Sequence, residues 1–135
     1  QTCDSQPTKT LWADPPTYYK TGLMTAGFSI NVPSLDDVNS GAARVTRTAP
    51  DQTMVVYAHA AYAQSGDMLR IEASGPEGEV FAKDIRLDNP RVSTMQAFGR
   101  KAPRGGWPTG EYLGQATLTR DGTIIAHRFA HMTVD

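Results

Sequence analysis

One motif narrows the choice of fold more than any other: the run from Gly105 to Phe129, with Gly105-Gly106-Trp107-Pro108-Thr109-Gly110-Glu111-Tyr112 leading into two β-rich segments around Asp121-Gly122. Asp and Gly both accept the positive φ of a two-residue type I′ turn, and that turn matches the twist of the strands it joins. Counting outward from Arg120 opposite Thr123 predicts Leu118 against Ile125, Ala116 against His127, Gly114 against Phe129 and Tyr112 against His131 on a mostly apolar face. The other face then carries Leu113, Gln115, Thr117 and Thr119 against Ile124, Ala126, Arg128 and Ala130, and is wetter. A two-stranded ribbon with one apolar face is marginal in water, so further strands must cover it.

The rest of the chain supplies them. Residues 21–29 are apolar and punctuated by Gly, which predicts a first strand. Ser34 followed by Asp36, Asp37 and then Gly41 has the cap, dipole partners and stop of one short helix. Residues 44–48 read as a minor strand and 54–62 as a major one, with Met54, Val56, Ala58, Ala60 and Tyr62 on its inner face. Alternation in 68–74 places Leu69, Ile71 and Ala73 inside and Arg70 and Glu72 in water, and Gly75-Pro76-Glu77-Gly78 turns the chain back through 79–87. Asp88-Asn89-Pro90 ends that strand, and 93–100 gives another. Seven or eight short strands, one short helix and regular turn spacing predict an all-β protein. The expected fold is an antiparallel β-sandwich of immunoglobulin or fibronectin type III kind, without the immunoglobulin cysteine pair.

At 135 residues the chain fits one domain with one core. We divide it into an extended lead-in over residues 1–20, where Pro15-Pro16 forbids regular helix, and a single sandwich over 21–135. A net charge of -1 with scattered Lys and Arg disfavours nucleic acid and anionic membrane surfaces as partners. No apolar run approaches the roughly twenty residues of a spanning helix. The chain starts at Gln1 without a starter Met or signal-like stretch and reads as a processed or excised piece. Cys3 is the only cysteine, either free or paired outside the chain, so neither an internal disulfide nor a cysteine-based zinc cluster is expected.

Chemistry is harder to find. His127 and His131 share a face in the predicted register but lie roughly 13 Å apart along a strand, too far to hold one zinc, and His59 would have to fold onto them. There is no Gly-x-Ser-x-Gly elbow and no phosphate loop, so the turns at 75–78 and 105–106 are only turns. No catalytic residue, metal ligand or cofactor is assigned. The aromatic residues offer a second reading: Trp12, Tyr18 and Tyr19 in the lead-in are candidate binding residues, and these or Trp107 would form the exposed stacking platform of a carbohydrate- or peptidoglycan-binding module. Against that, Gly105-Gly106 and Pro108 are placed to deliver the Trp107 indole into the core as a plug.

Two resemblances bear on function. Val56-Tyr57-Ala58-His59 with Gly66-Asp67, and the spacing of His131 and Asp135, are similar to stretches of the lysostaphin-like zinc metallopeptidases that cut cell-wall peptides. That family's His-x-His motif has no counterpart here, and the His and Asp pair stands at the end of the chain rather than before the rest. A broader likeness runs through Leu11-Trp12, Ala26-Gly27-Phe28, the helix over 35–41, Gly66-Asp67-Met68-Leu69-Arg70, Gly75-Pro76-Glu77-Gly78, Trp107-Pro108-x-Gly110-x-Tyr112 and Arg120-Asp121-Gly122. It resembles the β-sandwich domain found C-terminal to the catalytic domain in some proteobacterial lysostaphin-like peptidases. The resemblance implies a location in the bacterial periplasm or cell envelope and a zinc peptidase domain in the same parent protein as partner, with peptidoglycan as a further one. It implies an accessory role and no catalysis for this chain itself.

Overall fold

The structure, a computed structural model, describes residues 21–135. Its first strand, β1 (Gly22–Ser29), pairs antiparallel with β3 (Met54–Ala63) and contains a bulge at Met24. The extra residue resets the phase of the strand: Leu23 enters the core before it, and Ala26 and Phe28 enter after it. The helix α1 (Leu35–Ser40) forms as its caps dictate. Ser34 accepts the Asp37 N–H at 3.1 Å, and Gly41 ends the helix in the left-handed region at φ 84°. The minor strand β2 is only Arg47–Thr48 and runs parallel to the end of β8 (Thr123–Val134).

The two hairpins form where predicted. Strands β4 (Asp67–Gly75) and β5 (Gly78–Leu87) turn through Pro76-Glu77, while β7 (Gly110–Arg120) turns into β8 through Asp121-Gly122, with φ 51° and 81°. Between them lies β6 (Arg91–Arg100). The register expected for the last hairpin holds only at the turn. Arg120 does face Thr123, but beyond it Leu118 faces Ala126 rather than Ile125, Gly114 faces Ala130 rather than Phe129, and Tyr112 faces Met132 rather than His131. The cause is a bulge at Ile125. Ile125 and Ala126 both pack toward the core, after which Ala130, Met132 and Val134 point inward while His127, Phe129 and His131 face solvent. A second correction concerns Tyr62, expected on the inner face of β3. It takes φ 55° and is only half-buried, and Ala63 fills the core position instead.

The eight strands form two sheets, β1-β3-β6 and β2-β8-β7-β4-β5, whose inner faces enclose one main core. This is the expected sandwich of immunoglobulin and fibronectin type III kind, with the long last strand joined in parallel by a short edge piece. Small residues on β7 admit large ones from the opposite sheet: a Cβ on Gly114 would stand only 3.1 Å from the Phe28 ring. Trp107 is indeed a plug, 7% exposed, with its indole N–H donated to the Gln52 carbonyl at 2.8 Å. Tyr112 donates its hydroxyl to the Pro108 carbonyl at 2.6 Å, a tyrosine corner of the kind immunoglobulin-type sandwiches use.

Two polar devices close the sandwich. At one end, Asp67 is 1% exposed and takes a bidentate contact from Arg120, with Nε at 2.8 Å and Nη2 at 2.9 Å. Asp67 also accepts the Gln64 N–H, and Arg120 donates to Thr21, whose hydroxyl donates to the Tyr62 carbonyl. One network thus fastens the starts of β1 and β4 to the ends of β3 and β7. Along the edge of β1 that no described strand pairs, the carbonyls of Leu23, Ala26 and Phe28 are capped by Arg128, Arg44 and the Val45 N–H. An edge whose acceptors are already used is a poor template for another strand.

Candidate functional site

The outer face of the five-stranded sheet is the broadest surface that no other described element covers, and its two halves differ in character. On β4 and β5 the charges neutralise one another: Arg70 Nη1 reaches both Asp84 oxygens at 3.1 and 3.2 Å, and its Nε lies 3.5 Å from Glu72. On β7 and β8 the face is nearly free of charge. Leu113, Gln115, Thr117 and Thr119 stand opposite His131, Phe129, His127 and Ile124 in the paired register. Phe129 is 54% exposed and Ile124 62%. The His127 ring lies against Phe129, with 4.4 Å between centroids, and its Nε2 is 3.3 Å from the Gln115 side-chain oxygen. At the far end of this strip the Thr133 hydroxyl donates to Glu111 at 2.9 Å.

The strip exists because of the bulge at Ile125. An unbroken alternation would have buried Phe129 and left Ala130 and Met132 in water; the extra residue exchanges them. An aromatic and a β-branched residue thus stand exposed on a face that carries few charges.

The sequence-predicted site residues fare differently. Trp12, Tyr18, Tyr19 and Cys3 lie outside the described residues. Trp107, the other candidate for an aromatic platform, is in the core. Among the histidines, His59 stands on the outer face of the three-stranded sheet beside Ser93, whereas His127 and His131 stand on the outer face of the other sheet. The body of the sandwich separates them, so the His59 and His131 resemblance to a zinc site is not realised in space. Among the described residues no three His, Cys, Asp or Glu side chains gather as a metal site would need. No described helix is long and apolar enough to cross a membrane.

Three buried groups, Asp67, Tyr112 and Tyr57, have perturbed ionisations. The hydrogen bond from Arg120 is the main cause holding the Asp67 carboxyl below its ordinary range, against the opposing effect of burial. Burial pushes the Tyr112 hydroxyl up, with Glu77 adding to the shift. Burial likewise raises the Tyr57 hydroxyl, while nearby Arg44 pulls it down. The first two serve the end network and the corner.

Sequence reading missed the β7–β8 strip because it set Phe129 inside. The available signal was parity: Ile125 and the Ala130, Met132, Val134 series fall on opposite phases of one strand, and only a bulge lets both be buried. No protein-family model matches the chain, and no curated protein resembles it closely enough to count as a match.

Proposed function

We propose that this chain is a non-catalytic accessory β-sandwich domain of a bacterial envelope zinc metallopeptidase, and that it docks on and positions the peptidase domain of the same parent protein. The observation that carries this reading is the strip on β7 and β8, nearly free of charge, with Phe129 and Ile124 more than half exposed on the outer face of the sheet. The likeness of Trp107-Pro108-x-Gly110-x-Tyr112 and Arg120-Asp121-Gly122 to the sandwich that follows lysostaphin-like catalytic domains supports the choice of a peptidase domain as the proposed partner. The histidines divide between opposite faces of the sandwich, which supports an accessory role over a hydrolytic one. The rival, a module that stacks peptidoglycan sugars on exposed aromatics, loses Trp107 to the core.

The test compares the parent protein with and without residues 21–135, by release of peptides from purified cell walls. Deletion is expected to change the rate or the wall placement of the peptidase, and the isolated domain to release nothing. Tightly held zinc in the isolated domain, one per chain, with wall-peptide release that a chelator stops, would overturn the reading.

A further inference from the structure

Tyr57 lies at the centre of a second, smaller core between α1 and the outer face of the three-stranded sheet, where its ring packs with Val38, Ala43, Met95 and Ala97. It stands directly across from Gly27, and a Cβ on that glycine would come within 2.4 Å of the phenol oxygen, so the ring lies flat over the β1 backbone because Gly27 leaves the room. The side chain is 1% exposed, yet its hydroxyl makes no hydrogen bond among the described residues. A buried hydroxyl without a partner keeps the cost of leaving water and gains nothing in return, which is why nearly all such groups are paired. Tyr112, the other fully buried tyrosine, obeys that rule through Pro108.

Tyr57 lines a groove of about 380 Å³ between α1 and β1, at the lower end of the size of small-ligand sites. Arg44 lines the same groove. Its Nη2 is committed to the Thr25 hydroxyl and the Ala26 carbonyl, both at 3.0 Å, which fixes the guanidinium and leaves Nε and Nη1 without a partner among the described residues. Asn39 is a further polar residue of the lining, and Met24 and Val38 are apolar ones. Among the described residues no carboxylate lines the groove; Asp36 and Asp37 sit in the first turn of α1 and belong to its dipole. The groove therefore pairs a neutral donor with an anchored cation and, among the described residues, offers no negative counter-charge. That is the chemistry of oxyanion recognition, in which charge-assisted bonds are the strong ones.

We propose that this groove binds a carboxylate carried on a small apolar group, with Tyr57 Oη and Arg44 as its donors. The carboxylate belongs either to a free small acid or to the end of a peptide chain. This face is opposite the β7–β8 strip, so the site is independent of docking there.

The experiment is an amide-shift titration of the whole chain with three probes: sodium propionate, acetyl-alanyl-alanine, and the same dipeptide with its end amidated. Saturable shifts centred on Gly27, Gly41, Arg44 and His59 are expected with the acids and not with the amide. Tighter binding of the dipeptide acid than of propionate identifies a chain end, and equal binding a small acid. Tyr57→Phe, which keeps the ring and its packing, is expected to weaken binding about tenfold without lowering the melting temperature, and Arg44→Gln at least as much. Equal response to acid and amide, no saturation at roughly 20 mM acid, or unchanged binding by Tyr57→Phe would overturn the proposal. The acid and amide comparison uses the unaltered protein and does not depend on a variant folding.

Discussion

Replacing Asp67 by Ala removes the carboxylate that holds the open end of the sandwich together. Asp67 is 1% exposed and the Arg120 side chain 30%, so the substitution strands a guanidinium that is largely shielded from water and still tied to Thr21. Breaking one side of a buried pair costs about 3–5 kcal/mol, and the residual exposure of Arg120 places this case near the lower figure. With a urea m-value of about 2 kcal/mol/M for a domain of this size, the unfolding midpoint should fall by about 1.5 M. Asp67→Asn keeps an acceptor for the Gln64 N–H and should lose less, about 2 kcal/mol. The pair also predicts a direction with pH. Because Arg120 holds the folded Asp67 pKa below its unfolded value, its contribution is whole above the ordinary carboxylate pKa of about 4 and is lost as pH falls through the lower folded value. Urea unfolding followed by circular dichroism at neutral and strongly acid pH should therefore show the advantage of the wild type over Asp67→Asn shrinking as acid is added. A midpoint within 0.3 M of wild type for Asp67→Ala, where about 1.5 M is expected, or an advantage that stays constant into strong acid, would refute the network as a stabilising clamp.

Trp107→Ala should cost about 3 kcal/mol or more by the usual penalty of emptying a core site, whereas Trp107→Phe, losing chiefly the bond to Gln52, should cost about 1 kcal/mol; thermal denaturation separates the two. Gly122→Val forces a β-branched residue to φ 81° and should destabilise the β7–β8 hairpin by about 2 kcal/mol, read as faster amide exchange on both strands. Tyr112→Phe should lose about 1 kcal/mol through the corner bond to Pro108, and a chemical-denaturation midpoint equal to wild type would show that bond to be idle.

Local chemistry was legible wherever few residues decide the outcome. Ser34 and Gly41 bound their helix, Asp121-Gly122 makes its turn, and the Gly105 to Pro108 run delivers Trp107 inward. What escaped the sequence lies where distant parts of the chain adjust to one another. The bulge at Ile125 answers to the opposite sheet, which needs both the Ile125 and the Met132 phases buried, so no count outward from the turn could find it. Tyr62 likewise read as one more inward residue of an alternating strand, and its left-handed backbone shows only in three dimensions. The groove beside Tyr57 depends on Gly27 in β1, on Val38 in α1 and on Arg44 after it, three elements whose meeting no spacing announces.

The central claim is that the β7–β8 strip docks on the peptidase domain of the parent protein. It is tested most directly by calorimetric titration of that peptidase domain, as a separate chain, with the sandwich in wild-type form and as Phe129→Glu. Phe129 is 54% exposed and makes no core contact that the folded state needs, so the variant should melt with the wild type. Measurable binding by the wild type, weakened at least tenfold by the introduced carboxylate, is the predicted result. Binding of equal strength by both forms, or none by the wild type, would contradict the account.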